Sequence, residues 1–98
     1  MYIDFSTKHL AEASINYSEA SRLFGMQIAR KYMQRITILK ATEKFNELYG
    51  HKSLRLHQLK GNRAGQYSIS LTANYRLIME KLEEDSVRIL DVEDYHGN

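Results

Sequence analysis

The side chains best suited to chemistry stand in two groups: His57, Lys60 and Arg63 in mid-chain, and Asp94, Tyr95 and His96 at the end, with Arg76 between them. Cleaving an RNA phosphodiester with its own 2′-hydroxyl needs three things. A base must take the hydroxyl proton, cations must hold the charge that builds on phosphorus, and an acid must protonate the departing 5′-oxygen. Imidazole serves either proton role near neutral pH, which suits His57 and His96. Lys60, Arg63 and Arg76 are candidates for holding the charge, since positioned cations and donors aimed at developing charge usually contribute most to such a reaction. Tyr95 can orient the 2′-hydroxyl or stack on a base, while Asp94 can fix a histidine tautomer or take a proton itself. Which histidine is base and which is acid stays open.

Other chemistries have less support. The chain holds no cysteine, which removes thiol nucleophiles, disulfides and zinc ribbons. The four histidines, at 9, 51, 57 and 96, show neither an i, i+4 pair nor an HExxH box, so no metal or other cofactor is expected. A histidine near a strand end can also be a plain solvated side chain, and Tyr67, Tyr75 and Tyr95 can serve strand packing.

These groups must be positioned by elements whose signals change along the chain. "YIDFS" (2–6) alternates apolar and polar residues as a short strand does. Helical patterns follow. Thr7 can cap a helix over Lys8 to Ala13, and Ser18 can cap another ending near Gly25. "MQIARKYMQRITILKA" (26–41) spaces Met26, Ala29, Met33, Ile36 and Leu39 or Lys40 at threes and fours, with Arg30, Lys31, Gln34 and Arg35 off that stripe, which predicts an amphipathic helix. Thr42 can cap a further turn or two through Leu48, and Gly50 suits a helix end in left-handed geometry. "RLHQLKGNRAG" (55–65) reads as an approach segment with turn signals at Gly61-Asn62 and Gly65. "QYSISLT" (66–72), "YRLIMEKL" (75–82) and "VRILDVEDY" (87–95) read as strands of an antiparallel meander, joined by Ala73-Asn74 and by "EEDS" (83–86). The second of these is apolar on both parities, as a central strand is.

At 98 residues the chain is expected to form one domain over residues 1–98, of class α+β, with helices packed on one face of a small, mainly antiparallel twisted sheet. The opposite face and its rim are left for function. No apolar run approaches the roughly 20 residues of a bilayer span, so no membrane partner is expected and the default location is cytoplasmic. Between residues 22 and 63 ten Lys and Arg stand against two Glu, whereas from Glu80 onward two stand against seven Asp and Glu. The basic segment fits polyanion binding, with a solvated helix face as the alternative. Lys52 and Arg55 belong to it and, with Lys60 and Arg63, are the candidate RNA contacts.

The motifs, taken together, resemble the HigB branch of the RelE/ParE toxin superfamily. The residues that carry the resemblance are His57, Leu59-Lys60-Gly61, Arg63, Tyr67-Ser68-Ile69, Tyr75-Arg76 and Asp94-Tyr95-His96. Gln58 stands where that family usually has Pro, Tyr67 and Tyr75 stand where Trp is frequent, and Gly97-Asn98 extends past the final histidine. The resemblance implies a RelE-like fold and the toxin of a type II toxin–antitoxin system, acting as a ribosome-dependent mRNA endoribonuclease. It implies catalytic roles for His57, Asp94, Tyr95 and His96, with Arg76, Lys60 and Arg63 in support. It also implies a cognate HigA-like antitoxin as partner, mRNA on the ribosome as substrate, and a hetero-tetrameric complex as the candidate assembly. ParE-like relatives poison DNA gyrase and generally lack the terminal Asp-Tyr-His. A gyrase inhibitor, or a non-catalytic antitoxin-binding co-regulator, are therefore the competing readings.

Overall fold

The structure, a computed structural model, describes residues 1–95. Its elements run β1 (Tyr2–Phe5), α1 (Lys8–Ala13), α2 (Tyr17–Phe24), α3 (Met26–Ala41), two 3-10 helices (Phe45–Gly50 and Lys52–Leu54), β2 (His57–Gln58), a third 3-10 helix (Gly61–Arg63), β3 (Gln66–Ser70), β4 (Tyr75–Glu83) and β5 (Ser86–Asp94). The strands form one sheet in the order β1-β5-β4-β3-β2, with β1 parallel to β5 and every other pair antiparallel.

Caps decide where the first helices start. Thr7 accepts the Leu10 amide through its hydroxyl and opens α1 as expected. The start of α2 is set by Asn16 and not Ser18: the Asn16 side chain accepts from the Glu19 amide at 3.1 Å. Gly25, at φ 81°, ends α2 and begins α3, a backbone conformation that glycine adopts without Cβ strain. After α3 the chain departs from the expected helical turn capped by Thr42. Thr42 instead closes α3, donating its hydroxyl to the Ile38 carbonyl, and the next turn is a 3-10 helix from Phe45, with the Glu43 and Lys44 amides ahead of it donating to the Glu47 carboxylate. Gly50 ends that turn without a positive φ.

All three helices share one core with the inner face of the sheet. Leu10, Ala13, Ala20, Ile28, Tyr32, Ile36 and Leu39 meet Ile69, Leu71, Leu77, Met79, Val87 and Ile89, the sheet residues recurring at every second position. Tyr67 joins them and sets its ring 4.8 Å from that of Phe45, the packing role anticipated for it. Burying the α3 stripe against this face stabilises the fold by about 25 cal/mol for each Å² of apolar surface removed from water. Two residues of α3 break the simple stripe. Met26 is 64% exposed, whereas Arg35 is buried, its Nε donating to the Ser70 carbonyl at 2.8 Å. Desolvation there lowers the pKa of the Arg35 guanidinium, and the hydrogen bond to a strand end is what makes its burial tolerable. Its long stem explains how a charged residue enters an apolar seam.

Tyr32 anchors α3 to α1 by donating its hydroxyl to the Leu10 carbonyl at 2.7 Å, and burial raises the phenol's pKa. Tyr32→Phe would leave that carbonyl unsatisfied inside the core. A loss of about 1–3 kcal/mol in urea denaturation is the expected result, with the midpoint lower and the slope unchanged.

Candidate functional site

Pairing alternates side chains between the two sheet faces, so register places each candidate. On the face turned away from the helices, His57 of β2 stands opposite Ser68, Ser68 opposite Ile78, and Ile78 opposite Asp91. The next row out holds Ser70, Arg76 and Glu93. β2 is only two residues long, yet its pairing with β3 is what fixes His57 at the sheet edge. The sequence suggested an irregular approach segment there.

A cleft of about 390 Å³ opens on this face, lined by Arg55, Leu56, His57, Ser68, Arg76 and Tyr95. The mid-chain histidine and the C-terminal tyrosine therefore share one hollow. His57 belongs to β2 and Tyr95 follows β5, three strand spacings apart, or about 14 Å at ~4.8 Å each. Tyr95 narrows that span by lying against Arg76, whose guanidinium carbon is 5.2 Å from the ring centroid. The Tyr95 amide donates to the Asn74 carbonyl, which holds Tyr95 to the β3–β4 turn.

The electrostatics of the cleft favour an anion. Among the described residues, its lining contributes two guanidinium groups and no carboxylate. Arg76 lines the cleft, and its Nε–H is buried without a hydrogen-bond partner among the described residues. Arg55 reaches the cleft from a left-handed backbone, φ 50° and ψ 51°, and is the one non-glycine residue with positive φ among those described. Such strain costs about 1 kcal/mol or more and is commonly found where function places a side chain.

The other candidates lie outside the lining. Arg63 binds Glu93 through Nη1 at 3.1 Å and Nη2 at 2.7 Å, and its Nε donates to Gln66 at 3.1 Å. The Glu93 carboxylate raises the Arg63 pKa, with smaller contributions from Asp91 and Tyr95. Lys52 is exposed on the 3-10 helix before β2, and Lys60 is exposed at the N-cap of the one after it. Asp94 stands opposite Tyr75, which packs against the core, so alternation directs it to the face opposite that of Arg76. His96 lies outside the described residues. Ser68, 2% exposed beneath His57, and Glu93 were not anticipated. The alternation of "QYSIS" could have pointed to Ser68, but nothing local marks Glu93.

Among the described residues, no group of three or more His, Asp and Glu is placed to hold a metal ion, and no helix is long and apolar enough to cross a membrane.

Comparison with known proteins decides the lineage. Residues 4–96 match the family described as RelE-like toxin of type II toxin-antitoxin system HigB. The chain belongs to this family. A stretch of 42 residues is 45% identical to Endoribonuclease HigB from Proteus vulgaris, spanning 43% of this chain and 45% of that protein. Among solved structures, a YoeB/ParE toxin from Agrobacterium tumefaciens superposes with a TM-score of 0.62 at 15% identity, covering 98% of this chain and 100% of that one. A YoeB-YefM complex from Staphylococcus aureus gives 0.62 at 20%, with 99% and 98% covered. At these identities the superpositions show the shared α+β fold and nothing of activity.

Proposed function

We propose that this HigB-family toxin is an endoribonuclease that cuts mRNA on the ribosome, with the strand lying in the cleft between His57 and Tyr95. The observation that carries the reading is the convergence of His57, Arg55, Arg76 and Tyr95 on one anion-favouring hollow. The Proteus relative's name supports the same activity. In the reaction the 2′-oxygen bonds to phosphorus as the bond from phosphorus to the 5′-oxygen breaks. One histidine removes the 2′-hydroxyl proton and the other protonates the 5′-oxygen, with His57 and His96 sharing these roles. Arg76 faces the phosphate with its guanidinium, which lines the cleft. Tyr95, held by Arg76 and by Asn74, stacks on a base or orients the hydroxyl. Lys52 and Lys60 flank the cleft as contacts for neighbouring phosphates. The products are a 2′,3′-cyclic phosphate and a 5′-hydroxyl, made without a metal ion. A HigA-like antitoxin is the cognate partner, as YefM partners YoeB in the staphylococcal complex.

Purified chain incubated with an mRNA, alone and on translating ribosomes, tests this reading through the chemistry of the product ends. Cyclic phosphate and 5′-hydroxyl ends appearing only with ribosomes are expected. Ends bearing 5′-phosphate, or inhibition of gyrase supercoiling with intact RNA, would refute it. Phosphate contact also makes binding salt-dependent: Arg55→Ala should flatten the slope of log affinity against log salt by about 0.7 for single-stranded RNA. Titrations by fluorescence anisotropy at several salt concentrations check it.

A further inference from the structure

Arg63 reads from sequence as an RNA contact, yet its three donor nitrogens are all engaged by protein. Nε meets Gln66 at the first residue of β3, and Nη1 and Nη2 meet both oxygens of Glu93 near the end of β5. β3 and β5 are not neighbours, because β4 runs between them. Gln66 pairs with Glu80 of β4, and Glu93 pairs with Arg76. A guanidinium held by both therefore crosses β4 at the residue between those rows, Ile78, which is 1% exposed although it faces away from the helices. The strap ties the turn bearing Lys60 to the strand whose next residues are Asp94 and Tyr95.

We infer that Arg63 and Glu93 form a positioning clamp that holds the C-terminal end of β5, and with it Tyr95, against the cleft containing His57. The inference deepens the nuclease reading and rests on it for its catalytic consequence. Neither residue touches the strand being cut; both act through the placement of Tyr95. The pair is about one-third exposed, so overall stability depends on it little. Its geometry matters more than its charge. A planar guanidinium satisfies Gln66 and both Glu93 oxygens at once, whereas a lysine ammonium cannot reproduce that fork.

Hydrogen exchange and kinetics on Arg63→Gln, Arg63→Lys and Glu93→Gln test the clamp. Each variant should raise exchange of the Tyr95 amide on the order of tenfold while the Leu77 amide in β4 stays unchanged, because only the strand end opens. In ribosome-programmed cleavage each should lower kcat by a similar factor with KM nearly constant, and the salt slope of RNA binding should not move. Tyr95 exchange at the wild-type rate in all three variants would overturn the clamp. So would a slope reduced by about 0.7 in Arg63→Gln and restored in Arg63→Lys, the behaviour of a phosphate ligand. If exchange responds as stated but the wild-type chain cuts no RNA, the clamp holds and the nuclease reading alone falls.

Discussion

His57→Ala is expected to lower ribosome-dependent cleavage by roughly 10²- to 10⁴-fold, the usual contribution of a positioned general acid or base. The fall should appear in kcat. His57 sits on an exposed two-residue strand, and its removal leaves the core beneath it untouched, so the melting temperature should stay within a degree or two of wild type. Replacing it by Gln keeps a hydrogen-bonding side chain but not a titrating one, and should be nearly as inactive. Single-turnover cleavage on programmed ribosomes, paired with thermal denaturation, separates this result from unfolding. A His57→Ala chain with wild-type kcat would remove imidazole at this position from the chemistry.

Arg76→Ala should cost roughly 10²- to 10³-fold in kcat, comparable to deleting a donor that stabilises developing charge elsewhere. Two losses combine in it. The cleft loses one of its two guanidinium groups, and Tyr95 loses the cation that holds its ring at 5.2 Å. Arg76→Lys restores a charge but neither the Nε–H nor the planar surface against the ring, so it should recover only part of the activity. Product formation per turnover on the two variants checks this. Full recovery by Lys would mean that a point charge suffices and that the guanidinium geometry is incidental.

Long periodic signals were legible in the sequence, and short-range competitors were not. The helix over 26–41 begins and ends where its pattern does, because sixteen residues carry several repeats of one period and Gly25 punctuates its start. The β3–β4–β5 meander follows its alternation to within two residues at either end. Asn16 was overlooked as a cap because Ser18 and Glu19 offer similar chemistry two residues on, and only the backbone decides which oxygen reaches an amide. Periodicity sends Arg35 to water, since it assigns a face by type and takes no account of a carbonyl waiting at a strand end. For the site, His57, Arg76 and Tyr95 line one cleft, a convergence that depends on strand order and is not written in their spacing. Arg63 did not reach the cleft, because its partner Glu93 lies thirty positions away and such a pairing is set by register across three strands. The same register turns Asp94 away while bringing its neighbour toward Arg76, and a bulge in the β4–β5 ladder near Ile78 and Met79 makes that parity hard to count from sequence.

Transcript 5′ ends mapped after induced expression of the wild-type chain and of His57→Ala ask directly whether this cleft cuts RNA. New ends inside translated codons with the wild type, and none above background with His57→Ala at equal protein level, are the expected pair. The same ends at the same abundance from both chains would place the cutting somewhere else.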